Sequence, residues 1–140
     1  MINLRPLIEQ RIKDEVIAFS EVAGAANLEN IIAGRISSPG CYIFKERSQP
    51  QGGDLIGATM QRVVLRYAVI IIVKNVRDAR GADAADESDS LQESVRTALL
   101  GWQPCPEADP MEYADGALVS FANGFFIWRD SFQTYQFIRS

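Results

Sequence analysis

Leu4, Leu7, Ile8, Ile12, Val16 and Phe19 recur every three or four residues, with Arg5, Glu9, Gln10, Lys13 and Asp14 filling the other side. This spacing predicts an amphipathic helix over about residues 3–19, with Pro6 tolerated in its first turn. The small residues Ala23, Gly24, Ala25 and Ala26 read as a loose connection. Asn27 is placed to cap a second, short helix through about Ala33, which carries Leu28, Ile31 and Ile32, and Gly34 ends it.

Pro39-Gly40 opens a strand, Cys41-Tyr42-Ile43-Phe44-Lys45. Residues 46–59 are rich in Gln, Gly, Pro, Asp and Ser and read as a mobile, irregular loop. A long strand is expected over about residues 60–76. Its odd positions Val63, Leu65, Tyr67, Val69, Ile71 and Val73 are apolar apart from one hydroxyl. Its even positions are apolar only in the middle, with charges at Arg66 and Lys74. A central strand, buried on one face and partly covered on the other, fits this. The odd positions are expected to pack under two helical stripes, Leu4-Ile8-Ile12 and Leu91-Val95-Leu99.

Residues 78–89 are acidic and alanine-rich. The following helix is read from Leu91, Val95, Ala98, Leu99 and Trp102, with Ser90 and Glu93 at capping-box spacing and Asp86, Glu87 and Asp89 complementing its positive end. Gly101 and then Pro104, Pro106 and Pro110 stop it. Asp115-Gly116 and Asn123-Gly124 are favoured hairpin dipeptides. They predict strands near residues 111–114, 117–122 and 125–130, with a last one over 132–138. The expected fold is α+β, a mainly antiparallel or mixed sheet with helices packed on one face, in the order α-α-β-β-α-β-β-β.

The 140 residues share one composition, which fits a single domain over 1–140 able to bury roughly two-thirds of its unfolded surface without a disulfide or a metal. The apolar run at 67–73 is far short of the roughly 20 residues of a membrane helix. The N-terminal residues run straight into the amphipathic pattern without the apolar core of a signal peptide, so a cytosol-like compartment and no membrane are expected. Eighteen acidic against 14 basic residues give a net charge of −4. That balance argues against wholesale binding to nucleic-acid backbone.

There is no histidine, which removes the commonest general base and every Ser-His or Cys-His arrangement. Cys41 and Cys105 lack zinc or redox spacing and read as buried free thiols. Asp78, Asp83, Asp86, Glu87 and Asp89 do not follow the calcium-loop pattern: with Asp78 first, Gly81 falls fourth rather than sixth, and Asp89 stands where the bidentate glutamate belongs. Gly52, Gly53 and Gly57 are followed by no Gly-Lys-Ser/Thr and no helix start, so they match no phosphate-binding loop. No carboxylate pair is singled out by spacing. In Trp128-Arg129-Asp130, alternation sends Trp128 and Asp130 to one face and Arg129 to the other. Two readings stand side by side there: a core or rim tryptophan between surface charges, or an interface strand.

Taken in order, the chain runs from Gly34-Arg35-Ile36 and Pro39-Gly40-Cys41-Tyr42-Ile43-Phe44 to the strand Arg66-Tyr67-Ala68-Val69-Ile70-Ile71-Ile72-Val73-Lys74-Asn75. It continues through Ala98-Leu99-Leu100-Gly101-Trp102 to Trp128-Arg129-Asp130-Ser131-Phe132-Gln133-Thr134-Tyr135. Nearly the whole chain resembles the tail terminator (tail completion) family of tailed bacteriophages. The resemblance implies a structural virion protein, assembled in the host bacterial cytoplasm. It implies a homohexameric ring that caps the head-proximal end of the tail tube, stops tail polymerisation and joins the head connector. Phage DNA would pass through the channel without specific binding. The family has no catalytic signature, and no catalytic, cofactor or metal residue is carried over. The interface candidates are Lys45, Arg47, Gln49, Gln51, Trp128, Arg129 and Phe132, with the 46–59 segment either lining the channel or making lateral contacts. A head–tail connector or other phage neck protein is the neighbouring reading. A small monomeric enzyme or ligand-binding domain using carboxylates is the alternative of a different class.

Overall fold

The structure is a computed structural model and describes residues 1–56, 60–75 and 80–139. Its elements are α1 (Arg5–Glu15), β1 (Glu21–Gly24), α2 (Leu28–Ala33), β2 (Gly40–Ile56), β3 (Met60–Lys74), α3 (Ala82–Leu99), β4 (Glu112–Ala122) and β5 (Phe125–Arg139). The five strands form one mixed sheet in the order β1-β2-β3-β5-β4. β1 and β2 are parallel, and every other neighbouring pair is antiparallel. This is the α+β class expected from the pattern, with β3 central.

The apolar odd positions of β3 direct the packing. Val63, Leu65, Tyr67, Val69, Ile71 and Val73 lie in one buried cluster with Leu4, Ile8 and Ile12 of the α1 segment and with Leu91, Val95 and Leu99 of α3. Both expected helical stripes therefore cover the same face. The even positions Ala68, Ile70 and Ile72 form a smaller cluster on the other face with Tyr42, Ile127 and Ile31 of α2. The two long helices thus share a face, while the short α2 sits opposite them. Its start is as read: the Asn27 side chain accepts the Asn30 N–H at 2.9 Å.

Several boundaries differ from the sequence reading, each for a physical reason. The segment expected to be loose forms β1, because Glu21–Gly24 finds a partner in Gly40–Ile43 and buries Val22. The expected loop after Lys45 is a continuation of β2 to Ile56. It is paired to β3 from Arg47↔Arg66 to Pro50↔Val63, and again at Leu55↔Gln61 and Ile56↔Met60. Pairing with a long strand outweighs a composition that on its own favours a loop, and Pro50 is tolerated because this stretch of β2 is a sheet edge. Residues 57–59 of that expected loop lie outside the described residues. So do Val76, the expected end of β3, and Asp78, the expected start of the acidic stretch.

α3 begins at Ala82, two turns before the expected Ser90 cap, after Gly81 at φ 78°. Ala82, Ala84 and Ala85 are strong helix formers, and Asp83, in the first turn, complements the positive helix end. The buried stripe in those turns is Ala84 and Ser88, too small and polar to register as hydrophobic periodicity. Asp115-Gly116 is not a turn. It lies inside β4, where a register shift between Tyr113 and Asp115 absorbs the irregularity. Asn123-Gly124 is the hairpin turn, with φ of 55° and 80°, as the dipeptide predicts.

Candidate functional site

The β2 stretch beyond the end of β1 builds a polar groove on the sheet face that carries α2. Between Lys45 and Arg47 the register slips. A bulge of this kind puts two consecutive residues on one side of a strand. Glu46 and Arg47 accordingly reach the same face, while Lys45 stays opposite Tyr67 on the face covered by the long helices. Arg47, Gln49 and Gln51 line a groove of about 300 Å³ with Val64 and Arg66 of β3 and Gln133 and Tyr135 of β5.

The upper end of the groove is organised by Glu46. Its Oε1 accepts the Ser131 hydroxyl at 2.6 Å and lies 4.0 Å from Arg66 Nε; its Oε2 lies 3.7 Å from Arg129 Nη1. Arg129 also reaches Asp115 at 3.4 Å. One carboxylate thus holds two guanidinium groups over the sheet. Arg47 is exposed, and no carboxylate of the described residues forms a salt bridge with it. At the far end Arg62 stacks on the Tyr135 ring, 4.0 Å from its centroid, and pairs with Asp109 at 3.6 Å.

A second polar constellation lies on the opposite face, under α3. The fully buried Asp130 accepts three hydrogen bonds on Oδ1: from Trp128 Nε1 at 2.8 Å, from the Tyr113 hydroxyl at 3.0 Å and from Arg96 Nη2 at 3.2 Å. Burial raises the Tyr113 hydroxyl pKa, and the neighbouring Asp130 charge raises it further. Burial alone would lower Arg96, but the hydrogen bond and charge of Asp130 outweigh it and hold the guanidinium above its ordinary value. Gly116 lies directly over this network, where a Cβ would run into the Tyr113 hydroxyl and the Asp130 carboxylate. The glycine in the misread Asp-Gly pair is there for space.

The structure therefore brings Arg47, Gln49 and Gln51 into one groove, with Arg129 near its end. It does not bring the other candidates there. Lys45 is exposed on the other face. Trp128 turns to Asp130, as alternation requires. Phe132 is fully buried in the core with its ring 5.5 Å from that of Tyr113, so it is a packing residue and not an exposed contact. Glu46, Arg66, Gln133 and Tyr135 were missed by the sequence reading. The period-two alternation of β3 and β5 would have placed the last three together, but Glu46 depends on the bulge. Cys41 is buried, and burial together with the Glu9 charge pushes its thiol pKa far up, away from nucleophile chemistry; Cys105 is half-buried. Among the described residues no three His, Cys, Asp or Glu side chains are grouped to hold a metal ion, and no helix is long and apolar enough to cross a membrane.

This geometry offers surfaces for contact: an open sheet with a polar groove on one face and unlike strands at its two edges. Residues 3–140 match the family model described as phage tail terminator protein, so the chain belongs to that family. It is a structural protein family of the phage tail, which makes the virion tail the location of its members. No curated protein matches the chain.

Proposed function

We propose that this protein forms a homohexameric ring on the head-proximal end of the tail tube, where it ends tail polymerisation and presents the surface that joins the head connector. Its partners are then further copies of itself, the tail tube protein and the head connector protein, and phage DNA passes through the channel without specific binding. The observation that carries this reading, beyond the family, is the pair of unlike edges on one open sheet. On one side β1 covers β2 only as far as Ile43, leaving the rest of β2 without an outer partner strand among the described residues; on the other lies β4. A subunit with two different lateral surfaces makes head-to-tail contacts, and such contacts close into a ring when the rotation per subunit is right. Arg47, Gln49 and Gln51, with Lys45 on the other face, lie along the β2 flank, whereas Arg129 and Trp128 lie on β5, one strand in from the β4 edge.

A tail tube grows by stacking identical rings, so each finished ring offers a site for the next. A cap must match that site below and differ above. The test is phage assembly without this protein. Overlong tails of scattered length that do not join heads are expected. Tails of normal, uniform length that still join heads would overturn the terminator reading and favour a role elsewhere in the neck.

A further inference from the structure

α2 covers only part of its sheet face. Its apolar cluster is built on Ala68, Ile70 and Ile72 of β3, while Val64 and Arg66 further along the strand lie in the groove with Arg47, Gln49, Gln51, Gln133 and Tyr135. Among the described residues no helix packs over that stretch. Among the described residues its charged lining is two arginines: Arg47, which forms no salt bridge with a described carboxylate, and Arg66, held at 4.0 Å from the already shared Glu46. The surface is thus an unpartnered, net-basic sheet face on an acidic chain.

The other side of the molecule has the opposite character. No lysine or arginine lies between Ala82 and Val95, and the exposed side of α3 carries Asp83, Asp86, Glu87, Asp89 and Glu93. Asp86, Asp89 and Glu93 stand at i, i+3 and i+7, on one stripe of the helix. The shallow depression next to it, between α3 and the end of α1, is lined by Glu93 and Glu15 with Ser90, Ser94 and Thr97. Because α3 packs on the face of the sheet opposite the groove, the acidic stripe and the basic groove point away from each other on the two sides of one subunit. They cannot meet within a chain.

We propose that the groove is the docking surface for the acidic stripe of α3 from a second copy of this chain. The proposal deepens the ring reading and rests on it. A helix laid over the open half of the sheet would complete the layer that α2 leaves unfinished. The contact is heterologous, because groove and stripe are different surfaces, and this is the kind of contact that a cyclic ring repeats. Complementary charge also speeds and orients encounter, and excludes groove-to-groove and helix-to-helix pairing by like-charge repulsion.

The test uses the full chain and two charge-reversed variants at exposed positions, Arg47→Glu/Gln49→Glu in the groove and Asp89→Lys/Glu93→Lys on the helix. Circular dichroism checks that each folds. Sedimentation velocity over a concentration series at low salt reads self-association, backed by amine–carboxylate cross-linking. Association of the wild type is expected, weakening as salt is added. Each variant alone should associate at least tenfold more weakly, and an equimolar mixture of the two should recover part of the loss through the reversed contact. Wild-type association that neither variant changes overturns the proposal while leaving the ring standing on other surfaces. Loss with the groove variant alone means a different acidic occupant, such as the tube protein, and also overturns it. A wild type that neither associates nor cross-links at any concentration overturns it as well. The tail-length experiment reports on the terminator reading separately, so the two failures are distinguishable.

Discussion

The hydroxyl of Tyr67, in the middle of the sheet, accepts the backbone N–H of Leu4 at 3.3 Å and so ties the start of α1 to β3 across 63 residues of sequence. Leu4, at the N-cap, offers the helix no side-chain acceptor of its own, and Asn3 Oδ1 accepts the Arg5 N–H at 3.2 Å. The tyrosine takes over part of that work from the core side, since the first N–H groups of a helix have no partner within it. Tyr67→Phe keeps the ring and removes the acceptor, leaving a buried donor unpaired. A loss of about 1–3 kcal/mol in denaturant-measured stability is expected. An unchanged midpoint would show that water reaches the Leu4 N–H.

The same burial gives an alkaline limit. Tyr67, Tyr42 and Tyr113 all have raised pKa values, in each case first through loss of solvent. For an acid whose folded pKa is raised, the unfolded state loses its proton first. Above the ordinary tyrosine value of 10.0 the unfolded chain therefore binds fewer protons than the folded one, and stability falls as pH rises. Urea melts from about pH 7 upward should show a midpoint that begins to decline near the ordinary thiol value of 9.0, where the buried Cys41 ionises only in the unfolded chain, and falls more steeply above 10.0 as the tyrosines join; ultraviolet titration should show delayed phenolate absorbance until the fold is lost. Tyr67→Phe should make the decline shallower.

Ile71 lies in the stretch of β3 paired on both sides, opposite Cys41 of β2 and Trp128 of β5, and is fully buried under the helices. Ile71→Ala leaves a cavity that its well-packed neighbours fill only partly. A loss of roughly 2–5 kcal/mol is expected in equilibrium unfolding. A value below 1 kcal/mol would mean that the helices close over the gap.

Much of this core was legible beforehand because it rests on strong, local periodicity. The odd positions of β3, the Leu4-Ile8-Ile12 stripe and the Leu91-Val95-Leu99 stripe each repeat at the period of their element, and they meet as expected. What sequence could not show was set by pairing. β1 and the outer half of β2 are weak strands alone and exist because a neighbour accepts their backbone groups. The first turns of α3 bury Ala84 and Ser88, which look like surface residues on a one-dimensional plot. Phe132 was read as a contact because aromatic residues serve both cores and interfaces, and only the β3 register opposite Tyr67 decides which. For the groove, the residue types at 47, 49 and 51 were visible, but their three-strand neighbourhood and the bulge that turns Glu46 onto their face were not.

Gly116 offers a sharp check on the Asp130 network. It reads as half of a turn dipeptide, yet it pairs with Asp130 inside β4, and a Cβ there meets the Tyr113 hydroxyl and the carboxylate. If glycine is required for space rather than for a turn, Gly116→Ala should cost about 1–3 kcal/mol by overpacking. Changing the true hairpin position should act differently. Gly124→Ala, at φ 80° where a Cβ meets the Asn75 carbonyl oxygen at an unstrained 3.8 Å, costs through backbone conformation, roughly 1–2 kcal/mol. Near-ultraviolet dichroism of Trp128 separates the two, because only the Gly116 variant should disturb the indole that donates to Asp130.

The last prediction follows from where β1 stops. Cys41, Tyr42 and Ile43 lie between two strands, with β1 on one side and β3 on the other. Among the described residues the β2 backbone beyond Ile43 is paired to β3 alone, so alternate amide groups face outward with no described strand to receive them. Local opening is easiest where hydrogen bonds are solvent-exposed and burial is thin. Hydrogen exchange of the free subunit at low concentration should therefore show a step within β2. Amides at 41–43 should exchange slowly, near the rate of β3, and the outward-facing ones among Arg47, Ser48, Gln49 and Gln51, Pro50 having no N–H, should exchange faster by about a hundredfold. Assembly into a ring should remove much of that step, because a neighbour laid over Arg47, Gln49 and Gln51 shields the same stretch. Uniformly slow exchange along β2 in the monomer would show that this edge is already stable by itself. A step that persists unchanged in assembled tails would show that the groove side of β2 stays open in the ring.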